Sequence, residues 1–321
     1  MITFLASLAA ACDPSHTASS LDLTSRRCAP CAYPPACSRS VAACAEEEEA
    51  MNGIITDASP ASPARANELH YEEAFAACAL AYGGEVLDEP DLRFCASGIP
   101  ISAWNRVVRA TLTPETADDR IDWVIAQAHA RRAPFLWNVG PSMRPDNLGD
   151  KLMRHGLTEA GEEVAMGVAL AALPGALPLP DGVVIERVRD LVALERWVAT
   201  MTAGFGAPPS EVDPQLAPIA HDTFDDGAAA RYYLASLHGE PVATAALTLT
   251  GGMAGVFSVT TIPSARRHGI GAAVTLAPLL DARAAGYQIG VLQASEMGYP
   301  VYKRIGFTEQ FRYHDYLWRP A

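Results

Sequence analysis

The chain has 321 residues, half of them hydrophobic, with 24 basic against 37 acidic residues and a formal net charge of −13. That apolar content excludes a wholly disordered chain, and the negative balance gives the long-range field the wrong sign for binding nucleic acid or an anionic membrane surface nonspecifically. No apolar run reaches the ~18 residues that span a bilayer.

The first 50 residues carry five of the seven cysteines (Cys12, Cys28, Cys31, Cys37, Cys44) among Ala, Ser and Pro, with no sustained period. A signal peptide or lipobox ending at Cys12 would lack a basic start and has Ala9 where Leu is preferred. A zinc site at Cys28-x-x-Cys31 with Cys37 and Cys44 lacks a tightly spaced second pair. The run "AEEEEAMNG" instead suggests a translated ribosome-binding sequence, with Met51 as the true start and residues 1–50 not made in the cell. Only Cys78 and Cys95 would then remain, which suits a reducing cytoplasm. Residues 1–66 as a whole read as a disordered leader.

Asn67 to Leu87 reads as a helix, with Leu69, Phe75, Ala76, Cys78 and Ala79 on its apolar face and Gly83-Gly84 as its stop. "AWNRVVRATL" reads as a strand, "TPETADDRIDWVIAQAHARR" as a capped helix with an acidic first turn, and "PFLWNVG" as a short buried strand. "PDNLGDKLMRHGL" is a helix ending at Gly156, "VAMGVALAAL" a further strand, and the proline-rich 174–182 a linker. Beyond it come strand "VVIERV", helix "DLVALERWVATMTAGF" and a Pro- and Asp-rich loop from Gly204 to Asp226. Three strands follow ("RYYLASLHG", "PVATAALTLTG", "AGVFSVTTIP"), then helix "AAVTLAPLLDARAAG", strand "IGVLQAS", helix "GYPVYKRIG" and strand "EQFRYHDYLW". Strands and helices mixed in this way mean an α/β chain with a mixed sheet.

The chain also resembles itself. "KLMRHGLTE" (Lys151–Glu159) has the shape of "VYKRIGFTE" (Val301–Glu309), and upstream "TLTPETADDRI" falls where "TTIPSARRHGI" falls in the second copy. Two related domains, 67–173 and 183–321, explain both matches.

"PSARRHGIGAAV" (Pro263–Val274) gathers Arg266, Arg267 and His268 ahead of Gly269 and Gly271 at a helix start. The first turn of a helix leaves N–H groups unpaired and carries positive potential, and glycines let an anion approach them. Those features fit a pyrophosphate seat. A dinucleotide fold fits less well: Val274 replaces the third glycine, and four residues separate the strand from the glycines.

Arg266-x-x-Gly269-x-Gly271 resembles the acetyl-CoA signature of the GNAT acetyltransferase superfamily. "IGVLQAS" followed by "EMGYPVYKRIGF" resembles that family's second signature, in the expected order. The resemblance covers Val183 to Trp318 and implies two GNAT-like domains, each a mixed, largely antiparallel sheet flanked by helices. It implies acetyl-CoA as acyl donor with no metal, a backbone seat for the thioester and pantetheine at Val259, Thr260 and Thr261, and a pyrophosphate seat at Arg266, Arg267, His268, Gly269, Ile270, Gly271 and Ala272. Tyr302 falls at the position of the general acid. Ser295 falls where the family often carries a cofactor-binding Asn, and its side chain reaches less far. A general base is not visible; Glu296, His314 and Asp315 are conceivable.

The first half departs from the pattern. "ETADDRI" (Glu115–Ile121) places Asp118 and Asp119 where the second half has Arg-Arg-His-Gly, and Leu152 stands where Tyr302 stands. A decayed GNAT-like half that packs against the other and walls the acceptor cleft is expected, with Trp104, Trp123 and Trp137 in its core. The implied activity is acetyl transfer to an amine of a small molecule or protein, in the cytoplasm, without nucleic-acid or membrane partners and compatible with a homodimer. A noncatalytic acyl-CoA-binding regulatory module is the alternative. The acidic loop (Glu211, Asp213, Asp222, Asp225, Asp226) leans toward a cationic acceptor.

Overall fold

A computed structural model describes residues 61–206 and 224–320. The cysteine-rich start, Met51 and the loop carboxylates Glu211, Asp213 and Asp222 lie outside the described residues. The first half runs α1 (Ala61–Ala81), β1 (Glu85–Glu89), β2 (Leu92–Ala96), β3 (Asn105–Ala110), α2 (Ala117–Ala130), β4 (Phe135–Val139), α3 (Leu148–Arg154) and β5 (Thr158–Ala169). The second runs β6 (Val183–Arg187), α4 (Leu191–Gly204), β7 (Ala230–Leu237), β8 (Glu240–Thr250), β9 (Met253–Thr261), α5 (Ile270–Ala284), β10 (Ile289–Ala294), α6 (Tyr299–Arg304) and β11 (Thr308–Trp318). The expected mixed sheet flanked by helices is present. Among the described residues, no helix is long and apolar enough to cross a membrane.

All eleven strands join one sheet, in the order β1-β2-β3-β4-β11-β5-β10-β9-β8-β7-β6. Pairing is antiparallel except for β3 with β4 and β9 with β10. The last strand of each half lies against the other half: β5 pairs with β10, and β11 pairs with β4. The two exchanged strands pair with each other along most of their length. The expected boundary at 174–182 joins β5 to β6 along the chain, while the sheet is continuous across both halves.

The internal repeat has a structural counterpart. Helices α3 and α6 both end in a glycine with positive φ, Gly156 at 88° and Gly306 at 110°. The next residue, Leu157 or Phe307, is buried, and its N–H donates back to the carbonyl of Leu152 or Tyr302 at 3.1 and 3.0 Å. That is a left-handed helix stop, which turns the chain directly into the exchanged strand.

Alternation along the strands divides the helices between two faces. Val256 and Leu247 point to the cluster formed with α5, whereas Phe257 and Ala246 point to α4. In the first half, Val107 and Trp137 pack with α2 and α3, and Val108 lies on the opposite face against α1. Trp137 and Phe135 are fully buried, each contributing about 2–3 kcal/mol of apolar burial. Trp104 and Trp123 are only partly buried; Trp104 sits beside Tyr82, and the Arg120 guanidinium lies over Trp123.

Several elements differ from the sequence reading. The expected leader extends to Ala66, but α1 begins at Ala61, and Ala66 is buried against Met253, Ile289 and Val291. Leu69, expected on the apolar face, is exposed, and the buried stripe instead includes Asn67, Glu68, His70 and Glu72. The hairpin β1–β2 was unexpected: β1 is a mostly exposed, acidic edge strand without apolar alternation. Strand β5 starts at Thr158, six residues before the apolar run, because β11 pairs with its polar beginning.

Candidate active site

The second half holds a parallel strand pair that separates soon after it forms. Strands β9 and β10 are in register only at Ala254–Gly290 and Gly255–Val291. Beyond Gly255, the β10-facing edge of β9 has no strand partner among the described residues, so its backbone groups line a wedge. On the other side β9 stays paired with β8 but carries a bulge: Ala246 faces Phe257, and Thr244 faces Thr260. Ser258 sits at the bulge with φ of 50°, and the Thr244 hydroxyl donates to its carbonyl at 2.8 Å. A bulge bends a strand and re-aims its backbone. Val259, Thr260 and Thr261 are therefore carried along the open edge, where the thioester seat was expected. Neither Ser258 nor Thr244 is legible as a site residue in the sequence, since a bulge leaves no fixed mark there.

Helix α4 ends beside this wedge. A Cβ on Gly204 would collide with the Thr260 side chain, so only glycine permits this approach. The indole N–H of Trp197 donates to the carbonyls of Tyr233 and Ala245 at 3.0 and 3.1 Å and fixes α4 on the sheet.

The helix start lies at the open end of β9. Arg267 and Gly269 both have positive φ, 67° and 80°, so the backbone curls before α5 begins. Among the described residues, no acceptor meets the backbone N–H groups of residues 267–272. Such a row of converging donors is an anion nest, and α5 adds the positive end of its dipole. Arg267, His268 and Gly269 are exposed, whereas the Ile270 side chain is buried in the core. Arg266 differs from its neighbours: its guanidinium turns inward and donates to the carbonyls of Thr261 and Gly204 at 2.9 and 3.1 Å. It braces the wedge, so its contribution at an anion seat would be charge at a distance.

Tyr302 lies on α6 and is 8% exposed, its ring 6.1 Å from Phe307. Its hydroxyl has no hydrogen-bond partner among the described residues, and burial pushes its pKa up to about 12. It is thus a phenol that keeps its proton at neutral pH. A Cβ on Gly298 would stand 2.7 Å from the Tyr302 ring, so the glycine ahead of α6 makes room for it. Ser295 is exposed at the end of β10, and its hydroxyl accepts from the Gly298 N–H at 3.3 Å.

The three conceivable bases are spread over the end of β10 and β11. Glu296 is exposed just past β10. His314 pairs with Glu162 at 3.1 Å on the exposed side of β11. Asp315 is buried and accepts from the Asn138 amide at 2.5 Å. Strand β11 is three places from β9 in the sheet, roughly 14 Å at the usual strand spacing.

The corresponding place in the first half is filled by the chain itself. Strands β3 and β4 also pair at only two positions, Arg106–Leu136 and Val107–Trp137. Beyond them the segment after β4 folds back: the Arg144 N–H donates to the Ala110 carbonyl at 2.9 Å, and the Leu112 N–H to the Arg144 carbonyl at 3.2 Å. Met143 is buried beside them. The start of α2 differs as well, with Asp118 and Asp119 in its first turn. The Thr116 and Ala117 N–H groups donate to the Thr113 carbonyl, while Asp118 binds Lys151 at 2.7 Å and His155 at 3.1 Å. Leu152 is fully buried.

A bulged strand, a wedge between parallel strands and a nest at the following helix belong to the GNAT acetyltransferase fold, which this chain adopts. Solved structures agree. A GCN5-related N-acetyltransferase from Kribbella flavida superposes with a TM-score of 0.60 at 19% identity, covering 78% of this chain and 95% of that one. One from Sphaerobacter thermophilus gives 0.52 at 18% identity, over 80% and 94% of the two chains. A tandem GNAT protein from the clavulanic acid biosynthesis pathway gives 0.50 at 16%, over 72% and 79%. No protein-family model matches the chain, and no curated protein matches it in sequence.

Proposed function

We propose that the protein transfers an acetyl group from acetyl-CoA to an amine, with one active site, in the second half. The observation that carries this reading is the row of N–H groups at 267–272 that meet no acceptor among the described residues, placed at the end of the open edge of β9. The residues fit the donor: the nest and the exposed Arg267 and His268 would take its pyrophosphate, and the free strand edge would take its pantetheine amides. Acetyl-CoA supplies the activated acyl group as a thioester. Backbone N–H groups at the bulge would steady negative charge on its carbonyl oxygen, and Tyr302 would give its proton to the departing thiolate. The first half, its own wedge plugged and Asp118 and Asp119 in the first turn of α2, would serve as scaffold.

Release of free thiol from acetyl-CoA, dependent on added amine, tests the reading. Tyr302→Phe should lower kcat by about 10–100-fold and leave the Kd for acetyl-CoA unchanged. Tight acetyl-CoA binding without turnover on any amine would favour the noncatalytic module instead.

A further inference from the structure

The side of the wedge opposite α5 is built by a helix of the first half. Asn67 and His70 of α1 are fully buried there. The Asn67 amide N–H donates to the Met166 carbonyl at 3.3 Å and to Gln310 Oε1 at 2.8 Å, and Asn67 Oδ1 accepts from Gln293 Nε2 at 3.0 Å. A backbone carbonyl can only accept, so Met166 fixes the orientation of Asn67. Asn67 in turn fixes Gln293, whose amide nitrogen must face it. Gln293 Oε1 is left buried with no hydrogen-bond partner among the described residues.

His70 is fixed in the same way. Its Nε2 lies 3.0 Å from the Thr248 carbonyl and therefore carries the hydrogen, leaving a lone pair on Nδ1. That nitrogen is also buried, with no hydrogen-bond partner among the described residues. Burial lowers the His70 pKa to about 4, so the ring stays neutral near pH 7.

Both groups stand where β9 and β10 part. Gly255–Val291 is the last register pair, and Phe257 and Gln293 are the next residues on the same face. The His70 ring lies against Gly255, where a Cβ would collide with it, and stacks on Phe257 with centroids 5.7 Å apart. Phe75 meets Phe257 edge-on at 6.5 Å. Phe257 and Gln293 are both partly exposed.

We propose that this seam is the amine-recognition site and takes an aromatic amine, uncharged at neutral pH, whose N–H groups are accepted by Gln293 Oε1 and His70 Nδ1 and whose ring packs on Phe257 and Phe75. The inference rests on the acetyl-transfer reading and names its substrate class. Two orphaned atoms, both acceptors, call for a ligand that brings donors. The two orphans are neutral acceptors, and neither supplies the negative charge that would offset a buried ammonium. An amine held by both N–H groups turns its lone pair toward the third direction, as attack on a thioester requires. The nitrogen lone pair forms the bond to the acetyl carbon, and the carbon–sulfur pair leaves on sulfur. Sulfur takes the Tyr302 proton, and the nitrogen's surplus proton restores that tyrosine through solvent.

The test compares para-toluidine with its isomer benzylamine, which is an ammonium at neutral pH, using the full chain. Thiol release gives kcat and KM, and calorimetry gives the Kd for acetyl-CoA separately. The wild type should prefer para-toluidine in kcat/KM by at least about tenfold. Gln293→Met should raise the KM for para-toluidine about tenfold at unchanged acetyl-CoA Kd, and Gln293→Glu should shift the preference toward benzylamine. A wild-type preference for benzylamine, or an amine KM unmoved by both substitutions, overturns the proposal and leaves acetyl transfer standing. Failure of the wild type to bind acetyl-CoA removes the acetyl-transfer reading and this one together. The wild-type comparison stands whether or not the variants fold.

Discussion

Gly269 and Gly271 sit two residues apart and are needed for different reasons. Gly269 has φ of 80°, which an L side chain adopts only with strain, although the space around it is open. Gly271 has ordinary dihedrals, and among the described residues a Cβ there would meet the Thr261 hydroxyl alone, at 3.4 Å. A side chain at 271 would therefore fill the nest without disturbing the fold. Both glycines stand out in the sequence because the proposed anion seat demands bare backbone. Asn67, His70 and Gln293 do not: a polar residue inside a helical or strand pattern carries no mark of whether it is buried. Asp315 offers a separate check on the buried polar groups. Burial and the charge of Glu163 raise its pKa to about 7, against ~3.9 in an unfolded chain. Between those values the folded protein holds the extra proton, so this group makes stability fall as pH rises toward 7 and level off above it. Asp315→Asn removes that dependence. The melting temperature of the variant minus that of the wild type should be larger at pH 8 than at pH 5, as thermal unfolding followed by circular dichroism would reveal. An equal difference at both would remove Asp315 as the source.

At the scale of elements, the exchanged strands explain both the repeat and the limits of reading it. The stops at Gly156 and Gly306 gave the repeat its sequence signature. The partner of each following strand is set by which open edge accepts it, and no local pattern encodes that. Strand β11 fills the gap between β4 and β5, so it completes the core of the first half, with Trp318 stacked on Phe135 at 5.7 Å. Ending the chain after Gly306 would remove β11 and the buried Phe307, Tyr313 and Trp318. The loss would leave the facing edges of β4 and the long β5 exposed. Such a chain should lose cooperative unfolding and aggregate on expression, which sedimentation and thermal melts would detect; a soluble, cooperatively folded product would mean that the exchanged strand is dispensable.

At the scale of the whole molecule, two halves that share their strand-and-helix order, apart from the additional β6 that opens the second, have unlike wedges. In one, β9 and β10 open onto N–H groups that meet no acceptor among the described residues; in the other, β3 and β4 are bridged by Arg144, and Asp118 and Asp119 stand in the first turn of α2. The contrast was partly legible, because Asp118 and Asp119 oppose an anion at the start of α2. The plug was not, because it depends on the path of residues 140–145. The asymmetry makes the stoichiometry of acetyl-CoA the most direct test. Calorimetric titration of the full chain should give one site per chain with micromolar Kd, and Gly271→Glu should abolish it while keeping the wild-type melting temperature. Two sites, no site, or undiminished binding in the folded variant would contradict a single acetyl-CoA seat at the start of α5.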